Sequence, residues 1–573
     1  MNGPGQLTQK EDVLLKSEAA VAASTATGTT ASHISFIAPG SSASVSADVT
    51  QTRNSTPINE KLDVEIGKRE LEKDLQSLQE EEDEEWEVDP ANARNWPTHM
   101  KWISMAVVAM YSLIPPLASS MMSPGLPEVA ERFNIQSSTI LALTLTVFLI
   151  SLALGPLILA PLSEMYGRTW ILHVSNILSI AFNLSCAFAP NTGVLIGFRF
   201  LCGLSGGAPI AIGGGTVSDL FAPRDRATAM AMYNLGPLLG PAIGPVAGGY
   251  ITQTVGIKWV FIVIGIVCGV GSLIGIPLLR ETYAPVIRMR QAKREGNNAK
   301  AERAHPMLVQ ARGNLWNILW VNLTRPLEML FGSFICFILS LFMALIFGIY
   351  YLMFSTFATL FSVVYGFGPG EGGLAYIGLG IGFVLSTLVG ARMADTLYKY
   401  LADKNGGKGK PEMRIPSMII GSVMIPIGLF WYGWSAQARI HWIMPIIGTS
   451  FFGFGEFCMM TALYVLQRSV YISTLISLET SLPITLYLVD AFKYAASALA
   501  AASVFRSMLG FAFPLFGEQM YSALGEGPGN SSFGCDFGFA QMLAGMAIVL
   551  GIPFPIWIYY RGEAMRARNP MTR

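Results

Sequence analysis

The sequence predicts an all-α integral membrane protein whose twelve transmembrane helices form two six-helix bundles. Composition is the first reason: of 573 residues, 52% are hydrophobic and only 13% charged, with a mean hydropathy of +0.47, whereas soluble chains carry about 25% charged residues. The second is twelve apolar stretches, each near the ~20 residues a helix needs to cross a bilayer. The third is a long basic connection between the sixth and seventh stretches, which divides the twelve evenly.

Residues 1–96 are expected to be a disordered tail. They are Ser/Thr/Ala-rich to about residue 56, then heptad-like at Leu62, Ile66, Leu71, Leu75 and Leu78, then acidic from Glu80 to Glu87, so no apolar core can form there. Spans at 102–124, 139–161, 169–189, 193–218, 227–251 and 258–279 make a first bundle over 97–280. The central loop 281–325 carries Arg280 at its edge and Arg288, Arg290, Lys293, Arg294, Lys300, Arg303, Arg312 and Arg325 against Glu281, Glu295 and Glu302. That bias predicts a cytoplasmic loop. Spans at 330–356, 373–394, 416–436, 442–467, 494–517 and 538–560 make a second bundle over 326–561, and a basic tail covers 562–573. An even number of spans and basic segments after spans six, eight and twelve place both termini in the cytoplasm.

Span five carries the most informative run. Gly236, Gly240, Gly244 and Gly248 recur every fourth residue, Gly249 follows, and Pro237, Pro241 and Pro245 stand directly after three of them. Each proline costs a soluble helix interior about 3 kcal/mol. In a membrane the glycines form a groove for close helix packing, provided neighbours cover the carbonyls of Tyr233, Pro237 and Pro241 that the prolines leave without partners.

The two halves echo each other. Span two runs into Pro161-Leu162-Ser163-Glu164-Met165-Tyr166-Gly167-Arg168, and span eight, at the same place in its half, into Gly390-Ala391-Arg392-Met393-Ala394-Asp395. With these motifs the chain resembles the major facilitator superfamily, and within it the twelve-span drug:proton antiporters of fungi that include multidrug and polyamine exporters. Pro161 to Arg168 is similar to that family's loop motif, though Ala160 replaces its first glycine and Met165 a usual base. Arg199 in Phe198-Arg199-Phe200 matches its fourth-span arginine, and the Gly/Pro run its antiporter motif. Asn95-Trp96-Pro97, Glu281-Thr282-Tyr283-Ala284-Pro285 and Leu488-Val489-Asp490-Ala491 also resemble the fungal branch, so the likeness covers about residues 92–563. Arg468 to Thr485 reads as an insertion.

An ionisable residue at bilayer depth is costly and needs a partner or a wet cavity. Arg199 is read as a fixed charge in the transport cavity, or as an anchor on the backbone of the strained fifth span. Glu456 shares a helical face with Thr449, Phe452, Gly453, Met460 and Tyr464, a mix of aromatic, thioether and hydroxyl groups suited to bulky amphipathic or cationic solutes. It is the candidate proton carrier, with Arg506 in span eleven as its candidate counter-charge. Glu164, Arg168, Asp219 and Asp395 at helix ends are candidate gating charges. His173 is expected to be a packing or interfacial residue.

No phosphate-binding loop, catalytic constellation, metal cluster or cofactor motif is found, so neither an enzyme nor an ATP-driven pump is expected. The resemblance implies a proton-coupled antiporter that exports amphipathic or cationic small molecules such as drugs, toxins or polyamines. It would work as a monomer in the plasma membrane or vacuolar membrane, with protons, its small-molecule cargo and the bilayer as partners and no nucleic acid. A nutrient uniporter or symporter of the same fold and a non-transporting nutrient sensor are the alternatives.

Overall fold

The computed structural model describes residues 82–221, 226–332, 334–406, 413, 415–460, 502–515 and 552–566. Two compact units divide the chain, Met1–Asp89 and Pro90–Arg573, and every helix below belongs to the second. Tyr464, the 468–485 segment and the Asp490 region lie outside the described residues, as does much of the expected twelfth span.

The first half runs α1 (Thr98–Ser120), a short α2 (Leu126–Arg132), α3 (Ser138–Tyr166), α4 (Arg168–Ala187), α5 (Thr192–Leu220), α6 (Arg226–Val255) and α7 (Ile257–Leu278). Two breaks are tight because glycine makes them so. Gly167 at φ +107° separates α3 from α4, and Gly256 at φ +89° separates α6 from α7, a backbone region that L side chains rarely adopt. α5 is capped by a side chain: Asn191 Oδ1 accepts from the Val194 amide at 2.9 Å.

The central segment is helical as well, with α8 (Ala284–Arg294), α9 (Asn298–Ala304) and a 27-residue α10 (Pro306–Gly332). The second half follows with α11 (Phe334–Tyr365), α12 (Pro369–Ala375), α13 (Ile377–Leu385), a π-helical turn at Ser386–Gly390, α14 (Ala391–Lys404), α15 (Ile415–Gln437) and α16 (Ile443–Met460). Two further helices, α17 (Ala502–Leu515) and α18 (Pro553–Arg566), complete the described set. Span seven, expected over 330–356, is α11: residues 330–332 end α10 instead, and the apolar run continues to Tyr365, where Gly366 at φ +69° turns the chain.

Among the described residues, eight helical segments are individually long and apolar enough to cross a membrane. The Gly/Pro-rich α6 is outside those eight because glycine and proline dilute its aliphatic residues. It is instead gripped by neighbours. A Cβ on Gly236 would meet Ala109 O at 2.5 Å, on Gly240 the Pro116 Cβ at 2.6 Å, on Gly244 the Ser120 side chain, and on Gly248 the Met121 carbonyl oxygen. The groove therefore receives α1, not the α5 that carries Arg199. Ser112 Oγ of α1 donates to the freed Tyr233 carbonyl at 3.3 Å, and Ser120 Oγ to the Gly240 carbonyl at 3.1 Å. α6 remains a single helix through all three prolines.

Buried apolar side chains form two cores. One is drawn from residues 93–279; the other from α10 to α17 with Leu149 and Leu238 added. In the second half, close backbone approach again sets the packing. A Cβ on Gly448 would meet the Tyr432 amide at 2.6 Å, and one on Gly453 would meet Leu379 O at 2.8 Å, which seats α16 between α15 and α13.

Candidate functional site

Polar groups gather at mid-depth between the halves, at the near face of the first half, and at the far face where the halves meet. The near face below is the one at which the chain enters α1; the far face is the opposite one.

Arg199 on α5 is fully buried. Its Nη1 donates to Ala118 O at 3.0 Å, Nε to Thr144 O at 3.3 Å and Nη2 to Leu145 O at 3.4 Å, while its Cζ lies 4.8 Å from the Phe148 ring centre. The guanidinium thus braces α1 and α3, and not the fifth span that the anchor reading named. Across the seam, α11 presents Tyr350 and Tyr351, whose rings lie 4.9 Å apart, with Phe347 4.9 Å from Tyr351. Tyr351 is within electrostatic reach of Arg199, Arg506 and Glu456 together, and its hydroxyl is 3.5 Å from Ser119 Oγ.

Glu456 is 4% exposed, and its Oε2 has no hydrogen-bond partner among the described residues. Arg506 influences it electrostatically, yet no ion pair within 4 Å joins them among the described residues; the Arg506 Cζ sits 4.6 Å from the Phe347 ring centre. Phe452, expected beside Glu456 in the cavity, is fully buried, and its backbone is pressed against Gly428 of α15. Sequence reasoning missed Tyr350 and Tyr351, although two adjacent phenols in a 32-residue apolar helix were a signal.

On the near face Arg168 opens α4. Its Nε is 3.4 Å from Asp219 Oδ2 and its Nη1 3.6 Å from Glu164 Oε1 and 2.9 Å from Ser163 Oγ. The Tyr283 ring centre lies 4.7 Å from its Cζ, and Thr282 Oγ1 donates to Asp219 at 3.4 Å. Glu281 completes the cluster by capping α4: Oε1 accepts from the Arg168 amide at 2.9 Å and Oε2 from the Thr169 amide at 3.4 Å. A carboxylate at a helix N-terminus offsets the positive end of the helix dipole. Any side chain at position 167 would run into that carboxylate. Burial, reinforced by the Glu164 charge, raises the Tyr283 phenol above its ordinary range. His305, fully buried with its ring 6.2 Å from Tyr283, is pushed below its ordinary value by burial. Asp395 falls on α14, where only the backbone is described.

On the far face the halves meet directly. Ser123 Oγ lies 2.9 Å from the Tyr376 hydroxyl and 3.1 Å from Phe354 O, and the Gly370 amide donates to Gln253 Oε1 at 3.1 Å. A Cβ on Gly249 would meet the Pro369 carbonyl, and one on Gly373 the Pro245 carbonyl. The run is therefore clasped between α1 and α12.

Inside the first half, His173 Nδ1 is 3.2 Å from the Tyr111 hydroxyl. Asn176, Ser179 and Asn183 continue the same face of α4. Asn176 Nδ2 donates to Ser272 at 2.7 Å, and Ser179 Oγ is 2.8 Å from Ser205 Oγ. Tyr111, Asn176, Ser179, Asn183 and Ser205 line a cavity of about 10 Å³, the size of one water.

Comparisons with known proteins agree on one family. The family model described as Major Facilitator Superfamily matches residues 108–514. "Efflux pump radE" of Floropilus chiversii is 42% identical over 484 residues, covering 84% of this chain and 83% of its own length. "MFS transporter prlG" of Fungal sp. (strain NRRL 50135) is 40% identical over 506 residues, covering 86% of this chain and 98% of its own. Among solved structures, a D-xylose-proton symporter superposes with a TM-score of 0.56 at 14% identity, covering 80% of this chain and 97% of that one, a likeness of fold.

Proposed function

The chain belongs to the major facilitator superfamily and is a multi-pass membrane transporter of small molecules, and from that premise we propose that it exports amphipathic or cationic compounds in exchange for protons. The export direction is supported by the likeness to an efflux pump and by the Gly/Pro run of α6. The near face is the cytoplasmic one on this reading, since the loops there carry the Lys/Arg excess. Both termini then lie in the cytoplasm, and the monomer suffices, in the plasma membrane or the vacuolar membrane.

The observation that carries the reading is Glu456, a buried carboxyl with an oxygen unpartnered among the described residues, set near Tyr350, Tyr351 and Arg506. An anion at that depth is expensive; a proton or a cationic cargo each removes the cost. Competition between the two for one carboxylate couples the flows: a proton arriving from outside displaces cargo, and cargo arriving from the cytoplasm displaces the proton. Between these states the halves rock about the central cavity. Opening the far face breaks the Ser123–Tyr376 and Gln253–Gly370 contacts, and opening the near face releases the Arg168–Asp219–Glu164 cluster from the segment that follows α7.

Proteoliposomes holding the Glu456→Gln variant test the carrier. The amide keeps shape and cannot ionise, so it neither carries a proton nor pairs with a cationic cargo, and efflux driven by a pH gradient is expected to vanish while the variant still folds and inserts. Undiminished gradient-driven efflux would remove Glu456 from the mechanism.

A further inference from the structure

α10 presents a stripe of large apolar side chains that stay exposed among the described residues. Val309, Trp316, Trp320, Leu327 and Phe331 are 40%, 76%, 57%, 42% and 74% exposed. At about 100° per residue, their spacings of seven and four return each to within roughly 40° of the first, so all five share one face. Another face is spent on protein: Leu330 and Pro326 are buried, and the helix packs against α3 and α11. Leaving large apolar side chains in water forfeits the free energy of burying them, so five along one face of a helix mark a surface with an occupant.

The stripe does not stop with the helix. Beyond Gly332, α11 begins at Phe334, which is also exposed and lies 6.1 Å from the Trp557 ring of α18, while Phe331 sits 6.2 Å from Phe337. Exposed apolar surface thus continues from the end of α10 onto the start of α11, a helix apolar enough to cross a membrane. α10 itself is too polar to cross, with Arg312, Asn314, Asn317, Asn322, Arg325 and Glu328 in its sequence. An amphipathic helix with tryptophan on its apolar side, joined end to end with a transmembrane helix, belongs at the headgroup level of a bilayer. Continuity with the lipid-facing surface and the basic bias of the surrounding loop favour a lipid surface over a protein partner.

We propose that α10 is an in-plane membrane anchor, its Trp316–Trp320 stripe seated in the leaflet at the near face. Because α10 touches α3 of the first half and leads into α11 of the second, the connection between the halves is held to the bilayer and is not a free tether in water.

Photo-cross-linking tests this in the full-length chain, in nanodiscs of mixed phosphatidylcholine and phosphatidylserine. Benzoylphenylalanine replaces Trp316, Trp320, Val309 or Leu327 one at a time, and intact mass reads the adducts. Leu273 on α7, 77% exposed, is the lipid-facing reference, and the exposed Glu295 is the water-facing one. Phospholipid adducts at the stripe positions, at yields near that of position 273 and absent at 295, are expected. No lipid adduct on the stripe while position 273 labels, or a cross-linked second copy of the chain in its place, overturns the proposal. Val309 and Leu327 are smaller side chains on the same stripe, so they give the reading if a tryptophan substitution prevents folding.

Discussion

Replacing Gly248 by alanine adds one methyl group at a position where the neighbour is a backbone carbonyl. The new Cβ would run into the Met121 oxygen and stand 2.7 Å from the Met121 carbonyl carbon and 2.9 Å from its Cα, against a comfortable carbon–carbon separation of about 3.5–4.0 Å. A side chain could swing aside; a carbonyl bonded into the end of a helix cannot. The methyl must therefore push α6 and α1 apart by close to an ångström. Overpacking of this kind costs about 1–3 kcal/mol. The separation also stretches the Ser120–Gly240 and Ser112–Tyr233 hydrogen bonds, each worth about 0.5–1.5 kcal/mol.

The control is Gly265 on α7, where an added Cβ meets nothing within 4 Å. There alanine should hold or raise stability, because glycine in a helix interior costs about 0.5–1 kcal/mol relative to alanine. Thermal unfolding of the purified protein, followed by size-exclusion chromatography in one detergent, separates the two. Gly248→Ala is expected to unfold at a clearly lower temperature than the parent, and Gly265→Ala at the same or a higher one. Equal behaviour of the two variants would refute the claim that the glycine groove is filled by α1.

Gly244→Val, which drives two methyls into Ser120, should abolish export while the protein still reaches the membrane, read as drug accumulation in cells against surface abundance. Arg199→Met keeps length without charge and removes three donated hydrogen bonds, each worth about 0.5–1.5 kcal/mol, so the unfolding temperature should fall and export should be lost; retained export would leave Arg199 as a brace between α1 and α3. Glu281→Ala should cost about 0.5–2 kcal/mol by uncapping α4, seen as a lower unfolding temperature, with Glu281→Gln recovering part of it. His305 has a folded-state value below its unfolded one, so its contribution is complete above the ordinary histidine range and falls as pH drops through about 6.5. Hydrogen exchange of residues 284–304, corrected for intrinsic rate, should therefore rise between pH 7.5 and 5.5, and a His305→Phe variant should lose that dependence.

What the sequence could supply was whatever one helix decides by itself. Apolar length placed the spans, and the four-residue glycine period announced a groove. Proline chemistry told which carbonyls needed outside partners, and Tyr233 has one in Ser112. Even Arg168 with Glu164 was legible, because opposite charges four residues apart across a tight helix-to-helix break stay close. The rest depends on which helices become neighbours. Glu281 is 113 residues from the amide it caps, and nothing local marks it as a partner of Arg168. That α1 and not α5 fills the glycine groove, and that Phe452 packs on α15, are matters of topology. α10 was hidden for another reason: its charges and asparagines made a loop of a stretch whose apolar residues repeat at seven and four.

The two tight glycine breaks carry a mechanical consequence. At the near face Gly167 lets Glu281, from beyond α7, reach the first amides of α4; at the far face Gly256 lets Glu128, from α2, reach the first amide of α7, at 2.9 and 3.0 Å. Each carboxylate bonds a helix start from a different element, so the first half is pinned at both faces, and Arg199 braces its middle. A half fastened in three places moves as a body. The contacts left to change are those across the seam: Ser123–Tyr376 and Gln253–Gly370 on one face, the Gly249–Pro369 approach beside them, and on the other the span from Glu281 through α10 to α11. That last connection is the only covalent link between the halves, and it begins at the residue that caps α4. Glu281 caps α4 beside the Arg168–Asp219 pair, so the connection to the second half starts at that cluster. A glutamate that looked like part of a loop signature is thus placed where movement of one half can reach the charges of the other.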